Sequence, residues 1–315
     1  MLRLSTWTMI VLGTPFVLAF LSMVNTYRET FTDKEVRRQR SLLFQASSGT
    51  EGSEKANNLT YYSILRKDRS GAAIHDILVA HAYCSANGLR YGGACQKVDT
   101  SYTFQSAHEN LLRTLGLEDT FLPFGPCPSE SDSSAIILER ETYFATDSAI
   151  LTKGWLSEIK SLRRPSPPRP SDRPVQVAVH VRRGDVTPCQ SNVVFRYLPN
   201  THFQRIIETR VLPKHPNANI TIYSVHKSFE DWESLSGYQL DLHSSAMDVW
   251  DSMVNADILI LSKSSFSFVP AIFNTGRVIY APFWHKPLPT WESTPDYILA
   301  ESQAEVERLR HLCPE

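Results

Sequence analysis

Apolar residues alternate strictly at Val175, Val177, Val179 and Val181. A period of two carried by β-branched side chains predicts a strand with one buried face. The strand ends abruptly in Arg182-Arg183-Gly184-Asp185. Beyond it helical and strand patterns take turns. Helices are predicted from about Thr201 to Val211, from Phe229 to Leu235, from Ala246 to Asn255 with Met247, Trp250 and Val254 on one face, and from Phe266 to Asn274. Strands are predicted at Asn219 to Ser224, Tyr238 to Leu242, Asp257 to Leu261 and Arg277 to Tyr280. Ile258 to Leu261 is wholly apolar, the composition of a strand covered on both faces. Parallel strands joined by helices predict a doubly wound α/β sheet over 175–315.

Upstream the patterns are shorter. Ile74, Ile77, Leu78 and Ala82 recur at helical spacing from Ala72 to Ala86, with Ser70 as the expected N-cap. Gly88 to Cys95 reads as turn, short strand and turn. Further helices are expected around Ser106 to Leu115 and Asp147 to Leu162, with a short strand at Ala135 to Leu138. Helix, strand and helix in succession suggest a second α/β layer over 60–162. His75 and His81 lie on the first helix and are given no chemical role. Residues 163–174 hold five prolines, too many for a helix or central strand, and mark the expected domain boundary. Residues 28–59 are polar and aperiodic, as in an extended stem.

Leu4 to Tyr27 carries no charged side chain and is long enough to span a bilayer. A signal peptide cleaved near Val17-Leu18-Ala19, leaving a secreted protein, is the alternative. Arg3 precedes the span while Arg28, Lys34, Arg37, Arg38 and Arg40 follow it, which by the positive-inside rule favours a cytosolic body. The sequons Asn58-Leu-Thr60 and Asn219-Ile-Thr221 favour a lumenal one.

Composition adds mainly exclusions. The chain has 315 residues and a formal net charge of −1, so no general basic surface exists for nucleic acid. The five cysteines form no close metal-binding pair. In an oxidising compartment some would pair, with Cys95–Cys127 and Cys189–Cys313 as candidates; otherwise several are buried thiols.

The candidate chemistry sits at two strand ends. Ligands of open α/β sheets bind beyond the carboxyl ends of strands. There Arg182 and Arg183 can each donate paired N–H bonds to phosphate oxygens, flanked by His180 and Asp185. The competing reading is a surface turn whose arginines pair with carboxylates. An adhesion role for Arg183-Gly184-Asp185 is disfavoured by its position on an apolar strand. Ser262-Lys-Ser-Ser-Phe-Ser267 follows one strand and opens a helix, where free N–H groups and the helix dipole favour an anion. Alternatively Ser264 or Ser265 is only a helix cap. Ser224 and His226, at another strand end, are candidates for the same crevice. No Asp-x-Asp pair occurs, so a metal-bound nucleotide-sugar site has no evident ligands, and arginines with a helix start can supply the charge instead.

His180-Val-Arg-Arg-Gly-Asp185 resembles the first motif, His-x-Arg-Arg-x-Asp, of the α-1,2-, α-1,6- and protein O-fucosyltransferases. Asn255 to Ser267 resembles their later motif, and Ile222-Tyr-Ser224 the short strand between. The resemblance covers 175–315, in the expected order. It implies a GT-B arrangement of two facing Rossmann-like domains, preceded by a transmembrane helix at 1–27. The implied reaction is inverting, metal-independent transfer of L-fucose from GDP-fucose to a glycan or glycoprotein acceptor, with no cofactor. By position, Arg183 and Arg182 would hold the pyrophosphate and stabilise the leaving GDP. Asp185 and His180 would orient that loop or contact the nucleotide. Asp257, Ser264, Ser265 and Phe266 fall in the later motif as substrate-binding candidates, the last three closing on the phosphates. The resemblance also implies a single-pass type II Golgi membrane protein with its bulk in the lumen. It departs in the first domain, where Asp68-Arg-Ser-Gly-Ala72 replaces a Gly-rich turn. A catalytically degenerate nucleotide-sugar or glycan binder, or a transferase with another donor, are the alternatives.

Overall fold

In the computed structural model the described residues are 59–97, 104–144, 152–163 and 172–314. The expected membrane span at 4–27, the stem up to Asn58 and Pro-rich residues 164–171 lie outside them. Among the described residues no helix is long and apolar enough to cross a membrane.

The first sheet holds β1 (Thr60–Ile64), β2 (Arg90–Gln96), β3 (Gly125–Pro126) and β4 (Ala135–Leu138). Between and after them come α1 (Ser70–Ala86), α2 (Gln105–Thr114), α3 (Glu118–Phe121), α4 (Arg140–Phe144) and α5 (Lys153–Ser161). The second sheet holds β5 (Gln176–His180), β6 (Asn219–Tyr223), β7 (Gln239–Asp241), β8 (Ile258–Ile260), β9 (Arg277–Tyr280) and β10 (Glu292–Ser293). Its helices are α6 (Asn200–Ile206, running on as a π-helical stretch over Ile207–Val211), α7 (Ala246–Asn255), α8 (Ser265–Phe273) and α9 (Asp296–Arg310). The expected helix from Phe229 contracts to a single 3-10 turn at Glu233–Leu235.

All strand pairs are parallel. The sheet orders are β3-β2-β1-β4 and β10-β9-β8-β5-β6-β7. Numbered within its own sheet, the second reads 3-2-1-4-5-6, the doubly wound dinucleotide-binding order, and the first reads as its opening four strands. In both, the chain reverses direction of travel between the first and fourth strands, which opens a crevice at their carboxyl ends. In the second sheet those strands are β5 and β8, in register at Val177↔Ile258, Ala178↔Leu259 and Val179↔Ile260.

The alternation in β5 is real, but both of its faces are buried. Val177, Val179 and Val181 meet Phe203 and Ile206 of α6 and Ile298 of α9. On the other side Ala178 joins Trp250 and Met253 of α7 and Phe268 of α8. The same apolar cluster continues into α1 through Ile74, Ile77 and Leu78. This is why α1 is buried nearly all round: it packs on the first sheet and on α8 together. At its start, a Cβ on Gly71 would lie 2.4 Å from the backbone nitrogen of Phe266, so only glycine lets the two helix starts touch. Helix α1 begins two residues earlier than Ala72, with Arg69 in the N-cap position and no side-chain cap.

Disulfides join Cys95 to Cys127 and Cys189 to Cys313, and Cys84 is a buried free thiol. The second bridge ties the loop after β5 to the chain beyond α9. Closing a loop of that length, 124 residues, stabilises by roughly 4–5 kcal/mol in the chain-entropy account.

Candidate anion-binding crevice

Strand β5 delivers His180 to Asp185 to the carboxyl edge of its sheet, and β8 delivers Ser262 to Ser265 beside them. Gly184 makes the turn at φ +85, a conformation that L side chains rarely adopt. The two segments touch. Arg182 Nη1 lies 3.5 Å from Ser264 Oγ and 3.5 Å from the Lys263 carbonyl. His180 Nδ1 meets Ser262 Oγ at 2.6 Å. Ser264 is the N-cap of α8, accepting from the Phe266 amide at 3.2 Å. Capping and closeness to the arginine loop therefore coexist in one residue.

The two arginines part company. Arg182 stays at the crevice, held by Asp185 at 2.9 Å, which leans also toward Arg69 at 4.0 Å. Arg183 is enclosed, with a side chain 1% exposed. Its donors go to the carbonyls of Arg182 and Leu198 at 2.9 and 3.0 Å, to Asn200 Oδ1 at 2.5 Å and to Glu230 at 3.2 Å. Tyr197 packs against its guanidinium at 4.5 Å and donates its hydroxyl to the same Glu230. With both terminal nitrogens spent on protein acceptors and its Nε buried without a partner, Arg183 braces the loop that presents Arg182. The expectation of a direct Arg183–pyrophosphate contact does not fit this geometry.

His180 is buried between Ser262 and the Phe266 ring, 5.2 Å away. Burial, reinforced by the charges of Arg182 and Arg183, pushes its pKa down to about 3, so it is neutral near pH 7. Burial would raise the Asp185 carboxyl, but the hydrogen bond and charge of Arg182, with Arg69, hold it below its usual value. Phe266 packs against Trp250 of α7, the two rings tilted at 54° with centroids 5.7 Å apart. Ser265 Oγ meets His285 Nε2 at 2.9 Å, where the Trp284 indole also donates at 3.1 Å.

Other expected residues fall differently. Ser224 donates to the Val181 carbonyl at 2.6 Å and pins the strand end rather than facing a ligand. His226 is exposed and stacks on His243 at 6.0 Å. Asp257 sits at the amino end of β8, the sheet edge opposite the crevice. It accepts from Arg173 at 2.8 Å and from the Gln176 amide at 2.8 Å, so it orders the entry to β5 and cannot reach a ligand at the carboxyl ends. Its place in the motif is thus a packing role. Asn219 is exposed at the start of β6, bonded to Gln176 at 3.0 Å, and Asn58 lies outside the described residues.

Three cations at the crevice were given no role in the reading of the sequence. Arg69 arrives with α1, Lys263 lies half-buried in the serine turn with burial lowering its pKa, and Arg196 projects from a turn between β5 and α6. Arg69 and Arg196 are brought in by topology rather than by a local pattern, and Lys263 comes with the serine turn. Among the described residues no group of three or more His, Cys, Asp or Glu could hold a metal. Elsewhere, a groove of about 360 Å³ runs between α6 and α9, lined by His202, Arg205, Glu208, Glu301, Ser302 and Glu305 among others. It contains none of the expected residues.

No protein-family model matches the chain, and no curated protein matches it. Among solved structures, the chain is similar to E. coli heptosyltransferase WaaC with ADP-2-deoxy-2-fluoro heptose, at 10% identity and TM-score 0.36, over 79% of this chain and 100% of that one. It is likewise similar to E. coli heptosyltransferase WaaC with ADP, at 8% identity and TM-score 0.34, over 81% and 100%. Likeness at this level carries no residue roles across.

Proposed function

We propose that the chain is a glycosyltransferase of GT-B type that moves L-fucose from GDP-fucose to a glycan or glycoprotein acceptor. The observation that carries the reading is the contact of Arg182 with Ser264 at the start of α8, between the strands where a doubly wound sheet binds its ligand. A diphosphate placed there meets a guanidinium on one side and helix amides on the other. In this reading Arg182 and the α8 start bind the diphosphate and stabilise the charge that develops on the departing GDP, work a metal ion would otherwise perform. Arg183, with Glu230, Tyr197 and Asn200, holds the loop; Phe266 closes the wall; no metal or cofactor is required. The donor identity rests on the motif resemblance over 175–315, with 60–162 as the acceptor side.

Residues 4–27 serve in this reading as the anchor of a type II Golgi membrane protein with a lumenal body. Two disulfides support an oxidising compartment. N-glycans at Asn58 and Asn219 would support the same topology, and their absence from both would count against it.

A second reading is favoured by one observation. Asp185 is tied to Arg182 and Arg69, and His180 is buried and bonded to Ser262, so neither stands free as a general base. The chain would then bind a nucleotide sugar without turning it over. A screen of GDP-, UDP- and ADP-linked sugars against glycan and peptide acceptors separates the readings. Fucosyl transfer supports the first, GDP binding without transfer supports the second, and transfer from another donor replaces GDP-fucose.

A further inference from the structure

Arg196 differs from the other arginines around the crevice in how it is held. Arg182 and Arg69 share Asp185. Arg66 and Arg140 share Asp76. Arg196 has no carboxylate within ion-pair distance among the described residues. Its guanidinium lies over the Trp284 ring at 4.5 Å and 5.3 Å from the Phe195 ring. Both rings are exposed, 43% and 44%, and pack edge to face at 5.7 Å. Its Nε is shut off from solvent and has no hydrogen-bond partner. A buried, unpaired donor on a charged group is costly, and a cation held by rings rather than by a carboxylate keeps its whole charge for something else.

The turn that carries Arg196 is fixed from below. Tyr197, the next residue, packs on Arg183 and donates to Glu230, and Arg183 in turn grips the Arg182 carbonyl. One buried brace therefore sets the positions of both Arg182 and Arg196. The electrostatic neighbours of Arg196 are Arg182, Asp185 and Asp68. Trp284 donates to His285, which bonds Ser265 at the start of α8. The aromatic cradle and the helix start are thus continuous.

We propose that Arg196 is a second phosphate-binding cation of the crevice, gripping the diphosphate opposite Arg182, and that Trp284 is a positioning residue that holds it there without neutralising it. This rests on the diphosphate reading above. The ligand class is a compound bearing two linked phosphates, for which inorganic pyrophosphate and GDP are sufficient probes.

The test is calorimetric titration of both probes into the full-length chain in detergent, with melting curves of each variant. Wild type is expected to bind pyrophosphate, and Arg196→Gln to weaken it about tenfold or more with an unchanged melting temperature. Trp284→Leu should weaken it similarly, while Trp284→Phe, which keeps a ring beneath the cation, should retain most of the affinity. Loss in Arg182→Gln but wild-type binding in Arg196→Gln overturns the inference and leaves the diphosphate reading standing. Equal weakening by Trp284→Leu and Trp284→Phe overturns the positioning role. No binding of either probe to wild type overturns both readings.

Discussion

Replacing Arg183 by methionine tests the division of labour between the adjacent arginines. The side chain keeps an unbranched apolar stem and loses the guanidinium with its charge. The change strips four acceptors of their donor: the carbonyls of Arg182 and Leu198, Asn200 Oδ1, and Glu230 at 3.2 Å. Glu230 is left with the Tyr197 hydroxyl and the Asn200 amide at 3.1 Å. Breaking a buried ion pair from one side costs about 3–5 kcal/mol, and the two surviving donors favour the lower end. For a unit of this size that is a fall in melting temperature on the order of 10 °C. Adding Glu230→Gln removes the stranded charge and should restore about half the loss. Arg182→Gln breaks a partly exposed pair with Asp185, 18% and 36% exposed, worth about 0–1 kcal/mol after solvent screening. Its melting curve should overlie wild type while pyrophosphate binding disappears. Thermal unfolding followed by circular dichroism, paired with titration, reads both effects. An Arg183→Met protein that melts with wild type, or an Arg182→Gln protein that melts as low as Arg183→Met, refutes the assignment of brace and ligand.

Gly71→Ala places a methyl 2.4 Å from the Phe266 amide, so it should cost about 1–3 kcal/mol and weaken diphosphate binding together, read by melting and titration. Cys189→Ser opens a 124-residue loop and Cys95→Ser a 32-residue one, so melting should fall further in the first, by under 2 kcal/mol of difference in the chain-entropy account, roughly. His180 and His202 both have pKa values pushed down to about 3, chiefly by burial, against an ordinary value of about 6.5. The unfolded chain therefore takes up their protons first. Their neutral burial is fully tolerated above pH 6.5 and stability falls as pH drops from there toward 3, by about 2 kcal/mol per histidine at pH 5. Melting curves between pH 7.5 and 5 should show that loss, reduced in His202→Gln.

Much of the second sheet was legible because its elements carry their own signals. The alternation in β5, the apolar run of β8 and the one-sided apolar face of α7 each fix an element type locally. β1 and β10 were not legible, since short strands take their identity from the neighbours they pair with. Nor was α9, whose apolar positions are widely spaced among charged ones. At the site, the meeting of the arginine loop with the serine turn followed from position at strand ends. Which arginine faces outward did not, because adjacent residues differ only in what surrounds them: Glu230 and Tyr197, which enclose Arg183, lie on other loops. Asp257 shows the reverse error. It belongs to the motif by sequence, yet stands at the amino end of β8, where a carboxylate serves Arg173 and the Gln176 amide. Arg196 carried no pattern at all.

The account is tested most directly by a crystal structure of the protein soaked with GDP. The diphosphate is expected within hydrogen-bonding distance of Arg182 and of the backbone amides that open α8, with Arg183 still buried against Glu230. Density for GDP in the groove between α6 and α9, or a diphosphate held by Arg183 with Arg182 turned away, would contradict it.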